Sequence, residues 1–254
     1  MRLHHKSYGA GRPLVILHGL FGSLNNWQTL AKRLGEHFNV FTVDLRNHGH
    51  SPHSSVFTYE AMAEDVRDLL LGDGLSPASL IGHSMGGKAA MQLALNFPDL
   101  VDRLVVVDIA PKQYPPAHDG LMDAMGALDL EAYTTREEID RALAGRVPAT
   151  AVRQFLLTNL RRDETGVYRW KINFEVIRAN SGELNRAQTA DMPFEKPALF
   201  LSGERSSSIT PGDHPAIMRL FPRARFQAIN AAGHWVHVDA PDEFLRVVLG
   251  FLME

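Results

Sequence analysis

A serine between glycines is the residue of this chain best placed for covalent chemistry. Ser84 lies in the segment Ile-Gly-His-Ser-Met-Gly-Gly at 81–87, directly after an apolar run at 78–81. This is a G-x-S-x-G pattern, in which Gly82 and Gly86 allow a sharp turn from a strand into a helix. The turn lifts the serine clear of its neighbours, and a serine becomes a nucleophile once a base removes its proton. The pattern therefore predicts acyl transfer at Ser84.

A histidine near the end of the chain is the candidate base. His234 follows a predicted strand at 225–229, and Gly233 before it leaves room for the backbone to approach a reacting centre. His237 is the local alternative. It ranks second because it lacks a preceding glycine and lies on the approach to the next helix.

The third group must be a carboxylate that orients the imidazole and stabilises its cation. Asp108 ends the apolar run at 104–107, so we expect it at the carboxyl end of a central strand, on the same edge as Ser84. Glu204, after the next strand, is the alternative, whereas Ser206 nearby carries no charge. The chain order of serine, acid and histidine, Ser84, Asp108, His234, is that of a known class of hydrolytic sites.

Acyl transfer also needs hydrogen-bond donors for the oxyanion. The segment His-Gly-Leu-Phe-Gly at 18–22 follows an apolar strand, and its glycines permit a backbone amide to face the cleft. We predict that the amides of Leu20 and Met85 form the oxyanion hole, with Phe21 as the alternative to Leu20. His18 is expected to brace this loop through hydrogen bonds rather than to react.

The loop at 44–51, Asp-Leu-Arg-Asn-His-Gly-His-Ser, mixes turn formers with charges. Its simplest interpretation is a structured loop in which Asp44 pairs with Arg46. A metal site built from His48, His50 and His53 is disfavoured, because no carboxylate lies at a matching helical spacing.

Strands and helices alternate over most of the chain. Six short apolar runs, rich in β-branched and aromatic residues, predict buried strands at 13–17, 38–43, 78–81, 104–107, 197–201 and 225–229. Apolar residues three and four positions apart predict helices at 27–34, 59–71, 87–96 and 241–253. This alternation predicts an α/β fold with a mostly parallel sheet flanked by helices, in which ligands bind beyond the carboxyl ends of the strands.

The alternation breaks between 111 and 190. This segment begins rich in proline and shows helical patterns without a convincing buried strand. Thr135 and Glu138 predict a capping box, and Pro148 suits the first turn of a further helix. We predict an inserted helical lid at 111–190 over a core formed by 1–110 and 191–254.

The composition of the chain limits the classes of molecule that it is expected to bind. The 254 residues carry a net charge of −3, which gives no electrostatic reason to expect nucleic acid or an anionic membrane surface. The chain has no cysteine, and it contains neither a signal-peptide-like start nor an apolar run long enough to span a membrane. We expect a soluble, cytoplasmic protein that acts on a small acyl ester or thioester and needs no cofactor; its oligomeric state is left open.

Four segments together, at 18–22, 44–51, 82–87 and 233–241, resemble the α/β-hydrolase fold superfamily. Within it, His-Gly-Leu-Phe-Gly-Ser, Asp-Leu-Arg-Asn-His-Gly-His-Ser and Gly-His-Ser-Met-Gly-Gly-Lys are similar to small esterases with thioesterase activity on acyl-CoA. In that group the acid follows the strand before the usual one, so the resemblance also implies Asp108. The superfamily's usual aspartate position is Ser206 here. The resemblance covers about residues 10–110 and 195–250 and leaves the lid aside.

The residues and the resemblance predict a serine hydrolase that cleaves carboxylic esters or thioesters through an acyl-enzyme intermediate. A cofactor-free haloperoxidase is one alternative, since it would use the same triad on peroxide. A ligand-binding protein on the same fold is the other, although such a protein has less need of an intact serine, acid and base. Acyl length and the preference between ester and thioester are open.

Overall fold

A seven-stranded sheet forms the centre of the protein in the computed structural model, which describes residues 1–116 and 118–254. Its strands are β1 (His5–Tyr8), β2 (Pro13–Leu17), β3 (Asn39–Val43), β4 (Ala78–His83), β5 (Val101–Val107), β8 (Ala198–Gly203) and β9 (Ala224–Ile229). The spatial order is β1-β3-β2-β4-β5-β8-β9. In this sheet β1 pairs with β3 in the antiparallel orientation and the other neighbouring strands pair in parallel, so β4 and β5 lie in the middle of a parallel array.

Helices pack on both faces of this sheet. Those of the alternating part are α1 (Gln28–Leu34), α2 (Tyr59–Gly72), α3 (Met85–Asn96), α9 (His214–Leu220), α10 (Val236–Asp239) and α11 (Pro241–Leu252). Short 3-10 helices precede α1 and α9 and follow α3. The predicted α/β class and the mostly parallel sheet are confirmed, and the predicted strands and helices lie within a few residues of the observed ones.

Side chains that alternate along the strands pack into two separate hydrophobic cores, one on each face of the sheet. Val15 packs in a cluster with residues of α2 and α3, whereas the next residue, Ile16, packs in a cluster with residues of α1 and α11. Both side chains are fully buried. This is the pattern of a sheet covered on both faces, and it explains why its strands are nearly continuous apolar runs.

The segment between β5 and β8 contains the helices α4 (Asp119–Gly126), α5 (Arg136–Ala144), α6 (Thr150–Leu157), α7 (Phe174–Ala179) and α8 (Ser181–Asn185). Part of it encloses a small core of its own, which includes Ile139, Leu157 and Tyr168. The boundaries of the predicted lid stay a prediction.

The local structure of this segment matches some of the predictions made from its sequence and differs from others. The capping box of Thr135 and Glu138 is confirmed at the start of α5. Pro148 lies before α6 rather than in its first turn, because Ala149 is the N-cap of that helix. A hairpin of two short strands, β6 (Leu160–Arg162) and β7 (Tyr168–Trp170), was not predicted, although each strand has only one buried residue and neither is a buried strand of the kind excluded. At three residues each, these strands are too short for alternation to be recognised.

Strand β1 was also missed. Its four residues are half-buried or exposed, so they lack the apolar character of the other strands. Within the part of the chain that the structure describes, no helix is both long and apolar enough to cross a bilayer.

Candidate active site

Ser84 sits at the tight turn between β4 and α3. Its backbone has φ 51° and ψ −116°, a left-handed conformation that costs a non-glycine residue free energy. The amide of Ser84 donates to the carbonyl of Val107 at 3.0 Å, which ties the turn to the end of β5. A Cβ atom on Gly82 would lie 2.3 Å from the carbonyl oxygen of Gly86, and one on Gly86 would lie 2.5 Å from that of His18. The two glycines are therefore required for the turn to close.

The structure brings His234 and Asp108 together. Nδ1 of His234 lies 2.7 Å from Oδ2 of Asp108. The carboxylate is fully buried, whereas the imidazole side chain is 43% exposed. Oδ1 of Asp108 accepts a hydrogen bond from the amide of Gly203 at 3.1 Å, and Oδ2 accepts a second one from the hydroxyl of Ser206 at 2.5 Å. Three donors thus surround a buried carboxylate, as a charge removed from water requires.

The alternative acid lies elsewhere. Glu204 is exposed, and its carboxylate accepts a hydrogen bond from the amide of Ala231 at 2.9 Å. It therefore holds the loop that leads to His234, while Asp108 contacts the imidazole itself. Ser206, set aside for lack of charge, contacts the same carboxylate oxygen as His234.

Two further histidines pack beside His234. His83 donates from Nε2 to the carbonyl oxygen of His234 at 2.9 Å and so positions the main chain of the candidate base. His237, the alternative base, is buried and stacks on Trp27 with ring centroids 4.0 Å apart. Burial, and secondarily the neighbouring His234, lowers the pKa of His237 to about 3. A base that weak cannot take a serine proton effectively near neutral pH.

The loop at 18–22 distinguishes the two candidate oxyanion donors. The amide of Phe21 donates to Nε2 of His48 at 3.3 Å, so it is already engaged. Among the hydrogen bonds of the described residues, none has the amide of Leu20 as its donor. His18 braces the loop as expected: its Nδ1 donates to the carbonyl of Gly19 at 2.8 Å, and its Nε2 accepts from the amide of Leu45 at 3.1 Å. These contacts need a neutral ring, and burial lowers the pKa of His18 to about 4.

The expected pairing of Asp44 with Arg46 was wrong. Asp44 accepts from the amides of Leu24 at 2.7 Å and His50 at 2.8 Å. Arg46 instead pairs with Asp65 of α2 at 2.6 Å. The two side chains have separate partners, and the partner of Arg46, nineteen positions along the chain, leaves no local signal in the sequence.

The histidines of this loop have other partners. The rings of His48 and His53 contact main-chain carbonyls at 3.0 and 3.1 Å, those of Arg46 and Lys171 respectively. Over residues 1–116 and 118–254, no group of three histidine or carboxylate side chains is arranged to hold a metal ion.

Two cavities meet at Ser84. The larger, about 670 Å³, is mostly apolar and also contains His234, Phe155 and Trp235. The smaller, about 230 Å³, is lined by Ser84 and His234 again and by further polar residues, among them Lys88. Leu20 lines both cavities and Met85 the smaller one. A substrate carbonyl at Ser84 would therefore have space on both sides.

The residues between β5 and β8 reach this site. Nδ2 of Asn159 donates to the carbonyl oxygen of Phe21 at 2.7 Å, and this hydrogen bond braces the loop at 18–22. Two apolar side chains of α6, Phe155 and Leu156, line the larger cavity. Phe174 and Ile177 are buried in the core, and Trp170 is half-buried against it.

Two polar residues that face the site were not singled out from the sequence. His118 lines both cavities, and burial together with the neighbouring His234 lowers its pKa. Lys88 lines the smaller cavity from α3. The only available signal for Lys88 was its spacing, one helical turn after Ser84; His118 gave none, because its position depends on how the inserted segment folds back.

Comparisons with known proteins identify the family of the chain. A family model described as the alpha/beta hydrolase fold matches residues 12–241. The chain is 43% identical over 247 residues to the sn-1-specific diacylglycerol lipase ABHD11 of Mus musculus, covering 94% of this chain and 80% of the relative. It is 36% identical over 241 residues to the esterase YbfF of Escherichia coli K12, covering 94% and 92% respectively.

A solved structure, that of a marine microorganism esterase, superposes with a TM-score of 0.97 at 41% identity. That match covers 98% of this chain and 99% of the other. The residues matched by the family model include the turn at Ser84, Asp108 and His234. The chain belongs to the α/β-hydrolase fold family.

Proposed function

We propose that this protein is a serine hydrolase that cleaves carboxylic esters or thioesters through an acyl-enzyme intermediate on Ser84. The observation that carries the proposal is the distance of 2.7 Å between Nδ1 of His234 and the buried carboxylate of Asp108. His234 and Ser84 both line each of the two cavities. The names of the relatives, a diacylglycerol lipase and esterases, support ester cleavage.

His234 acts as the general base. Because Asp108 accepts the hydrogen bond from Nδ1, the proton is held on that nitrogen and Nε2 is left free to take the proton of Ser84. The imidazolium that forms is stabilised by the carboxylate. His234 then gives its proton to the leaving alcohol or thiol, and water repeats the sequence to release the acid.

The oxyanion accepts hydrogen bonds from the backbone amides of Leu20 and Met85. Met85 is the first residue of α3, so its amide is among those that have no partner within the helix. The positive end of the helix dipole adds to the stabilisation of negative charge there. Fixed donors of this kind contribute on the order of 3 kcal/mol each to transition-state stabilisation. The acyl chain occupies the larger, apolar cavity.

The test is hydrolysis of p-nitrophenyl esters from acetate to palmitate, with matched acyl-CoA thioesters, by the wild type and Ser84→Ala. We expect turnover that is lost in Ser84→Ala and retained in Ser207→Ala, a control at an exposed serine. The chain-length optimum then measures the larger cavity, and the ester-to-thioester ratio gives the preferred leaving group. Full activity of Ser84→Ala would refute the proposal. The cytoplasmic location inferred from the sequence stays a prediction.

A further inference from the structure

A buried lysine lines the smaller cavity. Lys88 follows Ser84 by one helical turn of α3, and the amide of Lys88 donates to the carbonyl of Ser84 at 3.0 Å. The residue is 1% exposed, yet it lines the 230 Å³ cavity that begins at Ser84 and His234. The cavity therefore connects the candidate nucleophile with a charged group.

Main-chain oxygens and aromatic rings hold this ammonium group in place. Nζ donates to the carbonyl of Lys112 at 3.1 Å and to that of Arg186. It also lies 5.0 Å from the ring centre of Tyr114 and 5.6 Å from that of Tyr59. An ammonium has three donors. Two are used by these carbonyls, which leaves one donor on a side chain that lines the cavity.

The charge of Lys88 is not neutralised by the residues that the structure describes. The two neighbouring cations do have carboxylate partners. Arg186 pairs with Glu60 and Glu183, and Lys112 pairs with Asp213 at 2.7 Å. No carboxylate of the described residues lies within ion-pair distance of Lys88. A buried cation without a counter-charge is costly, so such groups are normally paired.

The tyrosines do not supply the missing negative charge. The hydroxyl of Tyr59 donates to the carbonyl of Leu184 at 3.0 Å, and that of Tyr114 donates to the carbonyl of Ser208 at 2.6 Å. Burial raises the pKa of both phenols above the ordinary value, so both stay neutral. Burial, and secondarily the nearby Arg186, lowers the pKa of Lys88 to about 7. An anion in the cavity would restore the charged form.

We propose that the smaller cavity binds a carboxylate carried by the alcohol part of the substrate, with the ammonium of Lys88 as its counter-ion. The preferred substrates are then esters between an apolar acid and a small hydroxy acid. This inference rests on the proposed function, since it places the leaving group of the same reaction. The acyl chain takes the apolar cavity of about 670 Å³, and a hydroxy acid of a few carbons fits in 230 Å³. Hydrolysis consumes one water and releases the fatty acid and the hydroxy acid.

Binding to a variant that cannot form an acyl-enzyme tests this inference independently of turnover. Ser84→Ala is titrated calorimetrically with O-octanoylglycolate and with propyl octanoate, a neutral ester of nearly the same shape. We expect the carboxylate ester to bind at least tenfold more tightly. The same titrations on Ser84→Ala/Lys88→Met should show no preference. In Ser84→Ala/Lys112→Met, which removes a nearby lysine charge outside this cavity, the preference should persist.

A third ligand locates the carboxylate. Monopropyl suberate carries its charge at the far end of the acyl chain, so it should bind less tightly than propyl octanoate. Equal affinity of Ser84→Ala for O-octanoylglycolate and propyl octanoate would overturn the inference without any need for the lysine variant to fold. A preference that survives Lys88→Met, or tighter binding of the suberate, would overturn it as well. Failure of the proposed function would show separately, as absence of turnover by the wild type on every ester.

Discussion

At the scale of residues, the site depends on side chains held in costly conformations by many contacts. Ser84 and Asp108 both have positive φ, 51° and 54°, although neither is glycine. Such backbone strain persists only where the surrounding structure fixes it. The network around Asp108 does so, since Gly203, Ser206 and His234 all contact one carboxylate.

Substitutions around Asp108 should reduce kcat to different extents. Asp108→Asn should reduce kcat by about 10³- to 10⁴-fold, because an amide in place of the carboxylate no longer fixes the productive tautomer of His234. Ser206→Ala removes one of three donors and should cost about tenfold or less. Glu204→Gln should leave kcat unchanged, since that side chain accepts a hydrogen bond from the amide of Ala231, which the amide oxygen of glutamine can also accept. Steady-state kinetics on one ester measures all three, and a larger loss in Glu204→Gln than in Asp108→Asn would mean that the acid is misassigned.

At the scale of elements, the first turn of α3 does most of the positioning. It carries Met85 and Lys88, and Gly86 lets it lie directly against the end of β2. A side chain at Gly86 would meet the carbonyl oxygens of Leu17 and His18 at 2.5 Å. Because those atoms belong to the backbone of a central strand and its loop, the helix must move instead.

Two glycine-to-alanine changes should therefore have opposite effects. Gly86→Ala should lower the free energy of unfolding by about 1–3 kcal/mol through overpacking, and it should reduce kcat because the amide of Met85 is displaced. Gly250→Ala, in α11, meets no atom within 4 Å and should raise stability by about 0.5–1 kcal/mol. Urea unfolding monitored by circular dichroism compares the two. Unchanged stability and activity in Gly86→Ala would contradict the packing argument.

Sequence patterns predicted the elements whose signal is local. The apolar runs predicted the parallel strands, and the glycines around Ser84 predicted the turn. Strands and turn could be predicted because each depends on residues close together in the chain. Arg46 and Lys88 were different: the partner of Arg46 lies on α2, and the environment of Lys88 is built from residues near 112 and 186. Such contacts depend on the tertiary fold. For that reason the sequence predicted the serine, acid and histidine but not the second cavity.

At the scale of the whole molecule, buried histidines link the stability of the fold to pH. Burial lowers the pKa of His18 to about 4 and that of His48 and His237 to about 3, and it lowers the pKa of His83 well below 6.5. In the unfolded chain the same rings bind protons near pH 6.5. Below that pH the unfolded state therefore takes up more protons than the folded state, and stability is lost as pH falls.

The free energy of unfolding should be flat above about pH 7 and should fall between pH 6.5 and 5. Each buried ring contributes a slope of up to about 1.4 kcal/mol per pH unit. Urea titrations at pH 7.5, 6.5, 5.5 and 5.0 measure the slope. His237→Gln should reduce it by about one such contribution. A flat profile down to pH 5 would show that these rings are not buried as neutral groups.

The central claim is that Ser84 is a nucleophile activated by His234, and covalent labelling tests it most directly. Intact-mass and peptide mass spectrometry would follow reaction with an alkyl fluorophosphonate for the wild type, Ser84→Ala and His234→Ala. We predict one adduct per chain in the wild type, on the peptide that contains Ser84. We predict no adduct in Ser84→Ala and labelling slowed by orders of magnitude in His234→Ala. Equal labelling of Ser84→Ala, or an adduct on another residue, would contradict the account.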